Sequence, residues 1–448
     1  MATDIPPMLQ TVYADLLDRA TANTFAEAFP ADGTFTAKAL RGRRYWYFQA
    51  STANGRGQSY VGPETPELLE RIAAHKAALG YRRDQRSLVA TLVRTGNLPR
   101  PPAAIGDLVA ALAAAGVFRL RGVLVGTVAY QTYAAMLGVR LQAAMVQTAD
   151  VDVAQFADVS AAIGDATRPM AEVLRAVDPS FRPVPHVDPH RVASYAAASG
   201  LRVDFLTPNR GRETEQPQSL PALRTDAQPL RFLDFLIRDP EPAVLLHDGG
   251  ILVSVPAPQR YALHKLIVAR RRHEDAKRDK DRLQAQALLD ALVRRRPHEL
   301  RTAWAEAFGR GRTWRRLLGE GLGLLHPVTR DHVLRMVGAT RAVIPGLDLH
   351  FVPGRIGYDD AAREAYFHAM VRSDSARAEG IRCGVDHDAL EACFGPGPFD
   401  RAGCLAALNQ HRTLIEQAAR HKYLNEPIGL DHDVLLTRSD LEAVAPPP

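Results

Sequence analysis

The stretch from Val123 to Asp152 limits the possible folds more than any other part of the chain. It begins with three apolar residues, Val123–Val125, which suit a short buried strand, and the strand ends at a Gly126-Thr127 turn. A helix-like segment follows, and a second apolar run then leads into Asp150-Val151-Asp152. This order predicts a strand, a helix and a second strand that carries two acidic residues.

Acidic residues mark two segments as candidate metal sites. Asp150 and Asp152 are separated by one residue, so their side chains point to the same face of a strand. Neighbouring carboxylates repel each other unless a cation lies between them, and a divalent metal ion commonly fills that role. Further along, Asp204 interrupts an apolar run, where a carboxylate is costly to bury alone. We therefore expect Asp204 to lie at the mouth of its strand or beside a partner.

Together these segments resemble the nucleotidyltransferase superfamily with the polymerase-beta-like fold, in an uncharacterised bacterial branch. The resemblance rests on a strand ending in Gly-Thr, a strand with Asp-x-Asp and a later strand with one Asp, and it covers roughly residues 116–303. It implies that Asp150, Asp152 and Asp204 are the catalytic residues and bind magnesium, or manganese in its place.

The same resemblance assigns the nucleotide contacts. It implies that Gly126 and Thr127 open a helix that holds the phosphates of the incoming NTP. Asp150 lies 24 residues after Gly126, which is more than is usual in the superfamily and predicts a full helix between the two strands. A later stretch, Arg260–Arg272, is similar to a helix of nucleotidyltransferase-fold toxins and their relatives.

In that helix Leu263, Leu266 and Ile267 form an apolar stripe, and Lys265 lies on another face. The resemblance implies that Lys265 contacts the triphosphate and that Arg272 is an auxiliary contact. A solvated basic helix face is the alternative interpretation.

The function implied by the resemblance is transfer of a nucleoside monophosphate from an NTP to an unknown acceptor. The acceptor is an RNA end, a protein hydroxyl or a small molecule. Two alternatives stay open: a catalytically weak regulatory protein that binds nucleotide or nucleic acid, and the toxin of a toxin–antitoxin pair that acts on RNA.

The charge of the chain does not decide between these functions. A net charge of +6 is compatible with a nucleic-acid partner. However, only six of the 56 basic residues are lysine. This bias toward arginine indicates a GC-rich genome as much as an anionic ligand. The chain has no apolar run of membrane-spanning length, and its start lacks the form of a signal peptide. We therefore expect a cytoplasmic protein with no membrane partner.

A possible nucleic-acid surface lies near the start of the chain. A three-stranded antiparallel sheet is predicted within residues 34–62, and it interleaves basic with aromatic side chains. Arg43, Tyr45, Trp46 and Tyr47 could neutralise and stack on nucleic acid. Alternatively, these aromatic side chains pack on the next predicted helix.

Overall, the pattern predicts an α+β chain of four regions. These are an N-terminal helix with a small antiparallel sheet (1–100), a central catalytic core with a mixed sheet (101–256), a helical region (257–342) and a small C-terminal α+β domain (347–445). The last region is similar to a small bacterial domain of unknown function. Its three cysteines, one of them Cys383, match no zinc spacing and suit free thiols.

Some segments give weaker patterns. Residues 209–227 lack periodicity and predict a long loop, whereas 233–237 predict a strand and 243–255 a β-hairpin. Glycines at 319–323 predict a break between helices, and 401–423 predict one long helix.

Overall fold

The structure is a computed structural model, and it divides the chain into two compact units, Ala2–Ala257 and Pro258–Pro448. The residues that it describes are 3–23, 34–40, 43–52, 55–141, 148–209, 211, 213–271, 274–372, 379–395, 400–426 and 434–444. Helices and strands are both abundant, so the predicted α+β class is confirmed.

The first unit opens with helices around a small sheet. Its first elements are β1 (Thr3–Asp4), α1 (Pro7–Asn23), β2 (Thr34–Leu40), β3 (Arg43–Thr52), β4 (Gly55–Pro63), α2 (Pro66–Arg94) and α3 (Ala103–Ala114). Strands β2, β3 and β4 form the predicted antiparallel sheet. Leu9 and Leu16 of α1 share a buried apolar core with Leu92 of α2. The N-terminal helix is therefore held to this unit by apolar burial.

The rest of the first unit is built around a seven-stranded mixed sheet. Its elements are β5 (Val123–Val125), α4 (Gly126–Leu137), β6 (Val139–Arg140), β7 (Asp150–Ala154), α5 (Ala157–Ala162), α6 (Met170–Val177), β8 (Arg182–Pro183), β9 (Ser194–Ala196), β10 (Arg202–Pro208), β11 (Gln218–Leu220), β12 (Thr225–Leu230), α7 (Leu233–Leu236), β13 (Glu241–Leu245) and β14 (Ile251–Val255). The sheet has the order β11-β12-β10-β7-β5, and β9 pairs with both β10 and β8. Strand β10 is parallel to β7 and β12, whereas β5 is antiparallel to β7.

Two predictions in this unit are confirmed and two are wrong. Helix α4 lies between β5 and β7, and β13 and β14 form the predicted hairpin. The predicted loop at 209–227 instead contains β11 and the start of β12, which complete the edge of the mixed sheet. The predicted strand at 233–237 is a helix, because a five-residue apolar run fits a buried turn of helix as well as a strand.

Five helices open the second unit, and a small α+β region follows. The elements are α8 (Pro258–Arg271), α9 (Asp275–Arg295), α10 (Pro297–Gly309), α11 (Arg312–Gly323), α12 (Pro327–Val337), β15 (Asp348–Asp359), β16 (Glu364–Arg372), β17 (Glu379–Asp386), α13 (His387–Phe394), α14 (Arg401–Gln410), α15 (Arg412–Asn425), β18 (Val434–Leu436) and α16 (Arg438–Glu442). The four strands form one sheet in chain order, with β17 and β18 parallel.

The predictions that differ here are those for the glycines and for the long helix. Gly319 and Gly321 both lie inside α11. A Cβ at Gly319 would lie 2.0 Å from the Val343 carbonyl oxygen, and a Cβ at Gly321 would lie 2.7 Å from Leu266. These glycines allow close packing rather than ending a helix. The predicted helix at 401–423 is divided into α14 and α15 at His411.

A buried charge cluster links the helices of the second unit to its C-terminal region. Asp331 accepts hydrogen bonds from Arg330 Nε at 2.8 Å and Arg341 Nη2 at 2.6 Å, and the side chains of Arg330 and Asp331 are 1% exposed. Arg341 lies over the ring of Tyr423 in α15, 4.2 Å from its centroid. The helical and C-terminal regions therefore share an interior that depends on a charged pairing.

Two further observations concern membrane-spanning helices and the cysteines. None of the helices in the described part of the chain combines the length and apolar character needed to cross a membrane. Cys383 and Cys404 are buried and Cys393 is half-buried, and all three are thiols rather than members of a disulfide, as predicted. Burial raises the pKa of the Cys404 thiol, which disfavours its reactive thiolate form.

Candidate active site

Two of the predicted aspartates lie directly opposite each other on the central sheet. Parallel strands β7 and β10 pair in the register Asp152 with Asp204, two residues beyond the pair of Asp150 with Arg202. Side chains at paired positions share a face, and neighbouring strands are about 4.8 Å apart. Two carboxylates are thus held side by side by backbone pairing, although some fifty residues separate them in sequence.

All three aspartates face away from the interior of the sheet. Asp150 is exposed, and Asp152 and Asp204 are half-buried, whereas the alternating residues Val151 and Val203 are fully buried. This alternation is the one that the sequence predicted. It leaves the carboxylates at a surface that a solute can reach.

The start of α4 lies against Asp152. Strand β5 pairs Val125 with Asp152, and the chain then turns at Gly126, whose φ is +67°. A Cβ at Gly126 would lie 2.1 Å from Oδ2 of Asp152, so only glycine allows this approach. Thr127 follows as the second residue of the helix. The amides at the beginning of a helix attract anions, so this turn is suited to a carboxylate and to phosphate.

Helix α4 is anchored by apolar burial. Tyr130 and Tyr133 are fully buried, and the Tyr133 hydroxyl donates to the Pro256 carbonyl at 2.9 Å. Burial raises the pKa of Tyr133 well above its usual value, so this phenol stays neutral. The helix therefore presents its first turn to the aspartates from a rigid base.

Arg202 is a cation at this site that the sequence reasoning missed. Its Nε donates to both carboxylate oxygens of Asp204, at 2.9 and 3.0 Å, and its Nη2 is 3.4 Å from Ser194 Oγ. The alternation that placed Asp150 beside Asp152 would also have placed Arg202 beside Asp204, since the two residues are separated by one position. The arginine offsets part of the repulsion between the paired carboxylates.

The residues present fit a hard divalent cation, with one competitor. Paired carboxylates on an accessible face are the ligand type that magnesium and manganese prefer. The oxygen atoms of all three aspartates do not form one such cluster: among the described residues, the group of three whose donor atoms all lie within 4.8 Å of one another is His387, Asp388 and Glu391. A cation at Asp152 and Asp204 would compete with the guanidinium of Arg202 for the carboxylate oxygens of Asp204.

Lys265, in the second unit, is engaged with another residue of its own unit. Its ammonium forms an ion pair with Asp281 of α9 and lies 5.3 Å from the centroid of the Tyr261 ring. The side chains of Lys265 and Asp281 are 11% and 6% exposed. This pair braces α8 against α9. Arg272 lies outside the described residues, and the assignment of both residues to the triphosphate stays a prediction.

In the N-terminal sheet, Trp46 packs on the helix that follows the sheet, which is the alternative to a nucleic-acid contact. Trp46 packs against the buried residues Phe35 and Ile72, and its Nε1 donates to Glu64 at 2.9 Å. Tyr47 lies under the ammonium of Lys38, 5.0 Å from the ring centroid. Tyr45 is half-buried on the same strand, and the side chain of Arg43 is outside the described residues. A nucleic-acid contact at this sheet stays a prediction.

Comparison with known proteins identifies two parts of the chain. Residues 103–309 match the family model described as Nucleotidyltransferase, and residues 349–435 match that of a protein family of unknown function, DUF1488. No curated protein matches the chain. The first match includes Gly126 and the three aspartates, in agreement with the resemblance seen in the sequence. Residues 103–309 therefore match a nucleotidyltransferase domain, and residues 349–435 match a DUF1488 domain.

Proposed function

We propose that this chain is a metal-dependent nucleotidyltransferase that moves a nucleoside monophosphate from an NTP to an acceptor hydroxyl. The family match over 103–309 supports nucleotidyl transfer as the general reaction. The acceptor is an RNA end, a protein hydroxyl or a small molecule, and the proposed compartment is the cytoplasm.

The observation that carries the proposal is the pairing of Asp152 with Asp204 on an accessible face, beside the first turn of α4. Nucleotidyl transfer requires carboxylates that hold a cation next to donors that hold phosphate. Asp152 and Asp204 would hold magnesium or manganese. Asp150, two residues before Asp152 on the same strand, would be a further carboxylate ligand. The amides after Gly126, with Thr127, would bind phosphate oxygens.

The proposed reaction is a substitution at the α-phosphorus of the NTP. The acceptor oxygen forms a bond to the α-phosphorus, the bond from that phosphorus to its β-bridging oxygen breaks, and pyrophosphate leaves with the electron pair. The hydroxyl proton passes to a carboxylate of the aspartate group. A divalent cation, when bound, stabilises negative charge on the phosphate oxygens and eases ionisation of the hydroxyl.

A second candidate is a protein that binds nucleotide or nucleic acid without turnover. Two observations favour it: Arg202 holds both oxygens of Asp204, and the donor atoms of the three aspartates are not gathered within 4.8 Å. In such a site the amides at the first turn of α4 would hold phosphate without a metal ion.

Label transfer separates these candidates. The full chain is incubated with each α-³²P-labelled NTP, magnesium or manganese, and either RNA, the protein alone or a small hydroxyl acceptor. We expect label on one acceptor together with release of pyrophosphate, and loss of both in Asp152→Ala and Asp204→Asn. Asp165→Asn is the matched control, because Asp165 is exposed and its carboxylate pairs with the surface residue Arg119 and accepts from the Ala166 amide.

The two outcomes are distinct. Transfer that persists in Asp152→Ala would refute the assignment of the aspartates. Absence of transfer, with nucleotide binding by calorimetry that needs no magnesium and survives loss of Asp152, would favour the binding protein.

A further inference from the structure

The exposed face of α11 is strongly basic. Residues 307–319 contain four arginines and no acidic residue. Three of these arginines, Arg312, Arg315 and Arg316, are exposed on α11, and residues three or four positions apart are neighbours on a helix surface. The other side of the helix is buried and apolar, with Trp314, Leu317 and Leu318. Like charges therefore lie next to one another on a helix whose other side is fixed in the interior of the second unit.

Little negative charge compensates these arginines. Glu320 pairs with Arg316 at 2.6 Å and with Arg270 of α8 at 3.1 Å. In the part of the chain that the structure describes, Arg312 and Arg315 pair with no carboxylate. We call Arg270, Arg312, Arg315 and Arg316 the arginine face. Its like charges repel one another, so an anion that joins them lowers their electrostatic energy.

Two of these arginines also lie at the end of α11 where a cation is unfavourable. The N-terminus of a helix carries a partial positive charge, which favours acidic side chains in the first turn and disfavours basic ones. Helix α11 begins at Arg312, has no acidic residue in its first turn, and receives no side-chain hydrogen bond from its N-cap residue, Gly311. Arg312 and Arg315 therefore lower the stability of the helix that carries them. Proteins keep such local conflicts mainly at functional sites, so this one indicates a surface that binds anions.

Arg315 is held in place before any ligand arrives. Its Nε donates to the Phe308 carbonyl at 2.9 Å, and its guanidinium lies over the Phe308 ring, 5.1 Å from the centroid. The N–H groups on Nη1 and Nη2 donate to no residue that the structure describes, so they remain for another acceptor. A side chain that is already ordered loses less entropy on binding. The arginine face is therefore partly arranged for a ligand.

We propose that the arginine face binds single-stranded RNA through its phosphodiester backbone. Guanidinium groups match the oxygen geometry of phosphate, and phosphate contacts supply essentially all of the affinity of binding that is independent of sequence. The nearby rings are already covered, Phe308 by Arg315 and Trp314 by Arg310, which lies 4.9 Å from the ring centroid. We therefore expect contacts to phosphates rather than stacking on bases.

The size of the face favours a single strand over a duplex. Arg312 and Arg316 are separated by about 6 Å along the helix axis, at about 1.5 Å per residue. This length suits a few phosphates of a flexible strand, whereas even a single duplex-binding module buries about 600–1,000 Å². Single-stranded DNA carries the same backbone charge. The choice of RNA rests on the proposed function, in which an RNA end is one of the acceptors.

The test measures binding of a labelled RNA oligonucleotide of mixed sequence to the full chain by fluorescence anisotropy, without nucleotide or divalent cations. We expect Arg312→Gln/Arg315→Gln to bind RNA at least about fivefold more weakly. The slope of log affinity against log salt should fall in magnitude by about 1.4, because each phosphate contact of a single strand contributes about 0.7. Arg278→Gln/Arg282→Gln on α9 is the matched control, since it removes the same charge from arginines that pair with Asp275 and Asp279. This control should bind within about twofold of the wild type.

Two further variants separate RNA binding from folding and from catalysis. Arg312→Gln removes no contact within the described chain, so it should keep or raise the melting temperature and still weaken RNA binding by about two- to fivefold. Asp152→Ala should bind RNA as the wild type does, even though it abolishes the proposed transfer. Single-stranded DNA of the same sequence should bind within about threefold of RNA, because the contacts are to phosphates.

Several results would overturn the proposal. These are no RNA binding at low salt, a control double variant that weakens binding as much as Arg312→Gln/Arg315→Gln, and tighter binding of duplex RNA than of the single strand. Phosphatidylserine vesicles that bind more tightly than RNA, and lose this binding in Arg312→Gln/Arg315→Gln, would assign the face to a membrane surface instead.

Discussion

Replacing Gly126 by alanine probes the contact between α4 and Asp152. The residue has a φ of +67°, where an alanine costs about 1–2 kcal/mol relative to glycine. In addition, the new Cβ would lie 2.1 Å from Oδ2 of Asp152, so the carboxylate has to withdraw by about 0.9 Å to restore a 3.0 Å separation. Overpacking of this kind costs about 1–3 kcal/mol, and we expect Gly126→Ala to lower the free energy of unfolding by about 2–5 kcal/mol.

The chain offers a matched control in Gly200. Its φ is +87°, and a Cβ there would meet no described atom within 4 Å. Gly200→Ala therefore carries the backbone cost alone, and we expect it to lower the free energy of unfolding by about 1–2 kcal/mol. The difference between the two variants, measured by urea unfolding, isolates the contact with Asp152.

The same pair of variants tests catalysis. A displacement of about 1 Å in a catalytic group can reduce the rate about 100-fold, so we expect that loss of nucleotidyl transfer in Gly126→Ala and near wild-type transfer in Gly200→Ala. The double variant Gly126→Ala/Asp152→Ala removes the clash, and its free energy of unfolding should exceed the additive value by about 1 kcal/mol or more. The reasoning is refuted if Gly126→Ala and Gly200→Ala are equal in both stability and transfer.

Three further predictions concern charged pairs. Lys265→Met should lower the free energy of unfolding by about 3–5 kcal/mol, because it leaves Asp281 buried without this cation. In urea unfolding, the double variant Lys265→Met/Asp281→Asn should recover most of that loss. A double variant as unstable as the single one would contradict the bracing role. Burial alone would raise the pKa of Asp331, but hydrogen bonds from Arg330 and Arg341 outweigh it and lower that pKa. The stability that Asp331 contributes is therefore present above the pKa of about 3.9 that this residue has in the unfolded chain, and it is lost as pH falls through the lower pKa of the folded protein. We expect Asp331→Asn to lower the free energy of unfolding by about 3–5 kcal/mol at pH 7 and by less in acid. A constant difference between the two proteins from pH 7 to pH 2 would be inconsistent with this linkage. Arg202→Gln should lower the magnesium concentration for half-maximal transfer by about two- to tenfold, because the guanidinium competes with magnesium for Asp204. An increased magnesium requirement would instead mean that Arg202 supports metal binding.

The local parts of the site could be predicted from sequence. The alternation of Asp150 and Asp152 places both on one face, and the interval after Gly126 predicts α4. The pairing of Asp152 with Asp204 is different, because it joins strands far apart in the chain and no local pattern encodes the register. Only the family resemblance indicated that the third aspartate belongs with the first two.

The wrong predictions have physical causes in tertiary packing. Strand β12 contains Pro229 and several polar residues, so it lacks an alternating pattern, and pairing with β10 and β11 nevertheless makes it a strand. Gly319 and Gly321 resemble a helix end in sequence, yet they permit close approach of Val343 and Leu266 to α11. In each case a distant neighbour decides the conformation.

A crystal structure with manganese and a non-hydrolysable NTP analogue tests the central claim most directly, because manganese is located by its anomalous scattering. The account predicts an anomalous peak bound by Asp152 and Asp204, with the Arg202 guanidinium withdrawn from Asp204 and phosphate oxygens at the first turn of α4. Manganese found only elsewhere, with Arg202 still on Asp204 and the nucleotide absent from that turn, would contradict it.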